Sequence, residues 1–279
     1  MAVFPPKPNA LDQLFGRPKV LIGVIHSWPL PGAPAYDGRP MAEIVDFAVE
    51  EGIRFRDGGF HGLIVENAGD LPFAKPEDLG FETAAAMSVM ADRVRERVGL
   101  PTGINVLANG ARCAMAVAAS SSTGFIRVNQ WVNGYVANEG FIEGRSAEVA
   151  RYRSHLRAGH IKVFADVHVK HGAHAVVADR SLAEQARDNE FFDADVLIAT
   201  GNRTGGATEL DEITGIAQGS ELPVIVGSGV DHDNADSILA ACDGAIVASS
   251  VKHEGAWWNP VDTDRVHALV EIADQVWST

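Results

Sequence analysis

Cysteine is nearly absent from this 279-residue chain: Cys113 and Cys242 are the two copies, and neither has CxxC or Cys/His spacing around it. A disulfide framework and a zinc module are thereby excluded, and both thiols read as small buried apolar side chains. No apolar stretch approaches the ~20 residues needed to span a bilayer, and the opening MAVFPPKPNALDQLFGRPK has no apolar core of the signal-peptide kind. A soluble, cytoplasmic protein with no transmembrane segment is the expectation. Positive charge is scarce too, with 23 Lys and Arg against 37 Asp and Glu, a net charge of −14. Such a field repels nucleic acid and anionic membranes, so no nucleic-acid partner is expected. It does not exclude a small anion, which backbone amides and single Arg side chains bind locally. Ser-rich linkers, low-complexity tracts and shifts of composition are also missing, and nothing marks a domain boundary beyond an N-terminal extension over residues 1–18.

What the chain does have is a repeat of short β-rich apolar runs separated by helical segments. The runs are Val20-Leu-Ile-Gly-Val-Ile25, Gly62-Leu-Ile-Val65, Thr102-Gly-Ile-Asn-Val106 and Gly124-Phe-Ile-Arg-Val128, followed by Ile161-Lys-Val-Phe-Ala-Asp-Val167, Asp195-Val-Leu-Ile-Ala199, Pro223-Val-Ile-Val226 and Gly244-Ala-Ile-Val247. From residue 20 to residue 244 the seven steps between the eight runs average 32 residues, the length of a βα unit. Between them, residues 41–56 and 83–98 show helical periodicity, with Met87, Met90, Val94 and Val98 on one face. Ser181-Leu-Ala-Glu184 is a capping box, and Pro260 with Asp262 marks the start of a last helix. Eight such units predict an α/β fold, a single-domain (β/α)8 TIM barrel over residues 19–279. The competing open, doubly wound sheet would carry GxGxxG after its first strand, where this chain has His26-Ser-Trp-Pro-Leu-Pro-Gly32. The long segment 130–144 after the fourth strand is expected to arch over the C-terminal face of the barrel.

In a barrel the active site forms at the C-terminal strand ends, so polar residues closing the apolar runs become the candidates. They are His26, Glu66, Asn67, Asn105, Arg127, Asn129, Asp166, His168 and Lys170. Strand alternation pairs Arg127 with Asn129, and puts Asp166, His168 and Lys170 on one face, opposite Val163, Ala165, Val167 and Val169. The seventh and eighth runs end in Gly227-Ser-Gly229 and Ala248-Ser-Ser250, at the two loops that bind phosphate in many barrels. Gly227, Ser228, Gly229, Ser249 and Ser250 are therefore the phosphate candidates, since glycine admits an anion close to the backbone and the hydroxyls donate. Thr200-Gly-Asn-Arg-Thr-Gly-Gly206 reads as a lid, an anion clamp or a plain loop. No GxSxG elbow, HExxH or clustered metal signature occurs. No cofactor is specified; Glu66, Asp166 and His168 could meet at a divalent metal, a question that spacing leaves open. Trp28, Trp131, Trp257 and Trp258 lie beside the strand ends, as pocket walls or as parts of an oligomer interface.

The ordered blocks His26-Ser-Trp-Pro-Leu-Pro-Gly-Ala-Pro34, Gly62-Leu-Ile-Val-Glu-Asn67, Gly69-Asp70, Pro72-Phe73, Gly103-Ile-Asn-Val-Leu107, Phe125-Ile-Arg-Val-Asn129, Lys162-Val-Phe-Ala-Asp-Val-His-Val-Lys-His171, Gly227-Ser-Gly-Val230 and Asn259-Pro-Val-Asp262 resemble the BtpA/SgcQ family across residues 15–277. That resemblance implies a phosphate-binding type of (β/α)8 barrel. It associates some members with photosystem I biogenesis and others with sugar-utilisation gene clusters, and its family residues fall on the same nine strand-end positions. Ser27 departs from the pattern, standing where an aliphatic residue such as Leu is expected. Two functions compete. One is an enzyme of carbohydrate metabolism, an isomerase, epimerase or aldolase/lyase type acting by acid–base chemistry on a small phosphorylated metabolite, with Glu66, Asp166, His168 and Lys170 catalytic and His26, Asn67, Asn105, Arg127 and Asn129 binding substrate. The other is a non-catalytic assembly factor, which has no use for a converging acid, base and amide set. A homo-oligomer is expected in either case.

Overall fold

The computed structural model describes residues 6–201 and 210–278. A short helix α1 (Ala10–Phe15) is followed by β1 (Val20–His26), α2 (Met41–Asp57), β2 (Gly62–Glu66), α3 (Phe81–Val98), β3 (Thr102–Asn105), α4 (Ala111–Ser121) and β4 (Phe125–Val128). A hairpin of β5 (Gly134–Ala137) and β6 (Gly140–Glu143) interrupts the alternation. It then resumes through α5 (Ser146–His155), β7 (Lys162–Asp166), α6 (Leu182–Phe191), β8 (Val196–Ala199), α7 (Leu210–Ala217), β9 (Val224–Val226), α8 (Ala235–Ala241), β10 (Gly244–Val247) and α9 (Thr263–Trp277). Eight parallel strands close in the ring order β1-β10-β9-β8-β7-β4-β3-β2, so the sheet has no edge and the open-sheet alternative is overturned. Ser181 caps α6 in a capping box with Glu184, and the Asp262 side chain caps α9.

Strand alternation divides the core in two. Outward residues such as Leu21, Ile25, Leu63, Ile104, Ile126 and Val163 meet the helices, among them Met87, Met90, Val94 and Val98 of α3. Inward residues Val20, Ile22, Val24, Ile64, Phe125, Phe164, Val196, Ile198, Ile225 and Ile246 fill the barrel, and Ala10 and Leu11 of α1 pack against them with Phe15 and Leu14. Phe125 stacks on Phe164 with ring centroids 4.4 Å apart, and Phe15 meets Phe125 edge-on at 5.8 Å. Gly103 makes room for this layer, because a Cβ there would stand 2.3 Å from the Phe125 ring. The same inward faces, continued by two residues toward the C-terminal ends, become polar: Glu66 follows Ile64, Asn105 follows Gly103, Arg127 follows Phe125 and Asp166 follows Phe164. The apolar plug is thus the floor on which a polar layer rests.

The segment 130–144 forms the β5–β6 hairpin at this end of the barrel. Asn109 ties its base, accepting from the Gln130 amide at 2.8 Å and donating to the carbonyls of Gln130 at 3.1 Å and Glu143 at 3.3 Å. Its far side is bridged to the loop after β7 by a pair of amide bonds, Val136 N to Ala173 O at 3.1 Å and Ala173 N to Val136 O at 2.8 Å.

Candidate active site

A cavity of about 900 Å³ opens at the C-terminal mouth, lined by His26, Glu66, Asn105, Arg127, Asn129 and Lys170, and by Gly227, Ser228, Gly229, Ser249 and Ser250. Strand ends from around the ring therefore converge on one space, which is what parallel strands of matched length produce.

Glu66 ends β2 and receives the Asn105 amide on Oε2 at 2.6 Å. Its other oxygen lies 3.7 Å from Nε2 of His26. His26 Nδ1 is 3.0 Å from the Trp257 carbonyl, which can only accept, so the ring proton sits on Nδ1 and Nε2 keeps its lone pair toward Glu66. Burial holds the His26 pKa below its ordinary value, the charge of Glu66 opposing this and Lys252 adding to it.

Asp166 and Arg127 form a buried bidentate pair, with Nε to Oδ1 and Nη2 to Oδ2 both at 3.1 Å. Asn129 also donates to Asp166 Oδ2 at 3.1 Å. Asp166, only 1% exposed, lies behind the lining rather than in it, committed to two neighbours. Asn129 Oδ1 is buried away from solvent and, among the described residues, has no hydrogen-bond partner.

Lys170 reaches the late-strand loops, its Nζ donating to Ser228 Oγ at 3.0 Å. Burial first, then the Arg127 charge, pull its pKa down to about 8, against the opposing pull of Glu66 and Asp166. Thr200, at the end of β8, fixes the Lys170 backbone: its Oγ1 accepts the Lys170 amide at 3.1 Å and donates to the His168 carbonyl at 3.0 Å. Gly229 has φ +72°, a left-handed turn that glycine enters without a Cβ clash, while Ser250 Oγ is turned to the Val230 carbonyl at 2.7 Å.

Two expectations are corrected. His168 does not face the mouth: β7 ends at Asp166, the chain bends at once, and period-two alternation stops with the strand. Its ring stacks on His174 at 3.7 Å beside a separate cavity of about 340 Å³, and burial with the His174 charge lowers its pKa to about 4. Asn67 likewise ties loops together, accepting the Leu107 amide at 2.7 Å and donating to Asp70 at 3.0 Å. Glu66, Asp166 and His168 therefore do not converge, and no metal-holding group of three or more His, Cys, Asp or Glu side chains occurs among the described residues. Ser27 is buried outside the lining, so its departure from the family pattern does not reshape the wall. Of the loop at residues 200–206, positions 202–206 lie outside the described residues.

Among the tryptophans, Trp257 lines the cavity, Trp131 is buried with Nε1 donating to the Phe192 carbonyl at 2.8 Å, Trp28 stacks on Phe47 and Trp258 is exposed. Trp257 is thus one of the pocket walls expected from sequence, whereas Tyr135, and Thr200 as a tie for Lys170, were not singled out. Thr200 closes its apolar run as the chosen residues close theirs and was open to the same logic; Trp257 acts through a backbone carbonyl, for which no side-chain signal exists. Among the described residues no helix is long and apolar enough to cross a membrane.

Comparison with known proteins agrees with this architecture. The chain is 40% identical over 255 residues to an uncharacterized protein of Archaeoglobus fulgidus, covering 91% of this chain and 98% of that one. It is 36% identical over 265 residues to the photosystem I biogenesis protein BtpA of Synechocystis, covering 94% and 90%. Among solved structures, (S)-3-O-geranylgeranylglyceryl phosphate synthase of Thermoplasma acidophilum, in complex with its substrate sn-glycerol-1-phosphate, superposes with a TM-score of 0.60 at 14% identity, covering 96% and 97% of the two chains. That likeness is one of fold. The BtpA family model matches residues 17–275, and with relatives at this level of identity along nearly the whole length, the chain belongs to the BtpA family.

Proposed function

We propose that this chain is an enzyme that moves a proton on a small phosphorylated metabolite, in the manner of an isomerase, epimerase or lyase. The observation that carries the reading is one cavity holding Glu66 paired with His26 and Asn105, and Lys170 set against the glycine- and serine-rich loops of β9 and β10. The phosphate would rest on the amides of Gly227, Ser228, Gly229, Ser249 and Ser250 and on the hydroxyls of Ser228 and Ser249, with the Lys170 ammonium beside it. The Thermoplasma barrel of like fold holds sn-glycerol-1-phosphate, in keeping with a phosphate ester as substrate class.

Glu66 is the base. Asn105 fixes one carboxylate oxygen, and the other faces the lone pair of His26 Nε2, so a proton taken from substrate carbon is shared with the imidazole. Lys170 supplies positive charge to the oxygen that becomes an enediolate. Asp166 serves by holding Arg127 rather than by exchanging protons. The rival reading, an assembly factor, draws on the name of the Synechocystis relative. An assembly surface gains nothing from burying these charges in a cavity.

Phosphate at about 100 times its Kd should stabilise the protein by about 2.7 kcal/mol in a thermal melt. Gly229→Trp, which both strains the left-handed turn and fills the cradle, should abolish that increment. An undiminished increment in the variant places the anion elsewhere.

One observation favours a second mechanism: a lysine with a pKa near 8 is a competent Schiff-base nucleophile. The pH profile separates the two. If Lys170 acts as ammonium, kcat/KM falls as pH rises through about 8; if it attacks as amine, kcat/KM climbs over the same interval, and borohydride with substrate traps it covalently.

A further inference from the structure

The cavity is larger than its phosphate and proton-transfer machinery requires. About 900 Å³ lies near the top of the about 300–1,000 Å³ range of pockets that enclose drug-sized ligands, whereas a bare sugar phosphate is far smaller. The extra room has a defined place. In the ring of eight, β3 stands four positions from β9, diametrically across the mouth from the Gly227–Gly229 loop, with β2 beside it. The loops that follow β2 and β3 line the cavity with Leu71, Phe73 and Leu107. Leu71 is 46% exposed, an apolar side chain left uncovered at the wall of a cavity. Along the same lining the β5–β6 hairpin adds Tyr135 and, at its tip, Asn138 and Glu139.

We infer that the substrate is bipartite, a phosphorylated sugar that carries a heteroaromatic ring, of the size and polarity of a nucleoside monophosphate. The inference rests on the phosphate reading above and extends it to the opposite side of the mouth. With phosphate on the β9 and β10 loops, the sugar lies over Glu66 and Lys170, and whatever is attached to it points toward Leu71 and Phe73. A flat ring covers those side chains, and its hydrogen-bonding edge meets Asn138, which can donate and accept, and Glu139, which accepts. An alkyl chain would cover the apolar wall equally well but would gain nothing from that amide and carboxylate.

Titration calorimetry on the full chain with inorganic phosphate, ribose 5-phosphate, a purine and a pyrimidine nucleoside 5′-monophosphate, and octyl phosphate tests this. At least one nucleotide should bind about 10- to 100-fold more tightly than ribose 5-phosphate, the range that stacking one base supplies. Phe73→Ala and Leu71→Ala should erase that advantage while ribose 5-phosphate binds within about twofold of its original affinity, a control that the fold is intact. Equal affinity for ribose 5-phosphate and both nucleotides overturns the inference and leaves the phosphate reading standing, as does tighter binding of octyl phosphate than of either nucleotide. Failure of every phosphate ester and of inorganic phosphate brings down both.

Discussion

Glu66→Gln should lower kcat/KM for a phosphorylated substrate by about 10²- to 10⁴-fold, the usual worth of a general base. The substitution suits the site because glutamine keeps the shape and satisfies both neighbours. Its carbonyl can accept the Asn105 amide that Glu66 accepts at 2.6 Å, and its NH2 can donate to the His26 Nε2 that now stands 3.7 Å from the carboxylate. Only basicity is lost, so melting temperature and phosphate-induced stabilisation should stay near those of the parent. Steady-state kinetics decide the matter: a variant that keeps more than a tenth of the activity shows that the proton is taken by another group.

The largest loss of stability is expected at Asp166, for a reason unrelated to proton transfer. Replacing it with alanine leaves the Arg127 guanidinium buried without its bidentate partner, and breaking such a pair costs about 3–5 kcal/mol. For a chain of this size that lowers Tm by on the order of 10 °C. The double variant Arg127→Met with Asp166→Leu removes both charges and should recover most of the loss, since apolar groups of similar volume often replace a buried ion pair at little cost. If the double variant melts as low as the single one, the penalty comes from lost packing or from the orphaned Asn129 amide. If Asp166→Ala melts with the parent, the pair is not a structural tie at all.

Much of this arrangement was legible in the amino-acid sequence, and its failures share a cause. Apolar runs beginning at 20, 62, 102 and 244 coincide with strands, because parallel strands buried on both faces read as near-continuous Val, Ile and Leu. Glu66, Asn105 and Arg127 follow from the same alternation, each two residues beyond an inward position within a strand. His168 does not, because alternation is a property of extended backbone and the strand had ended at Asp166. Lys170 enters the cavity all the same, held by the Thr200 hydroxyl, a contact 30 residues distant in sequence that no local rule contains. Asn67 and Asn105 look alike as amides closing apolar runs; one joins the Leu107 amide to Asp70 in the loops and the other fixes the Glu66 carboxylate in the cavity, and tertiary proximity alone separates them. Leu71 and Phe73 carried no chemical signal, since an apolar residue in a loop becomes informative when it is seen uncovered inside a cavity.

The bridge between Val136 and Ala173 fastens the hairpin beside the cavity to the stretch of chain that carries Lys170. Tyr135, next to Val136, also stacks on His174, so the two segments are joined through side chains as well as through amides. Lys170 is thereby anchored on both flanks, its amide by the Thr200 hydroxyl at the end of β8 and the chain three residues further on by the hairpin, so one continuous backbone tie sets both the wall of the cavity and the position of the ammonium.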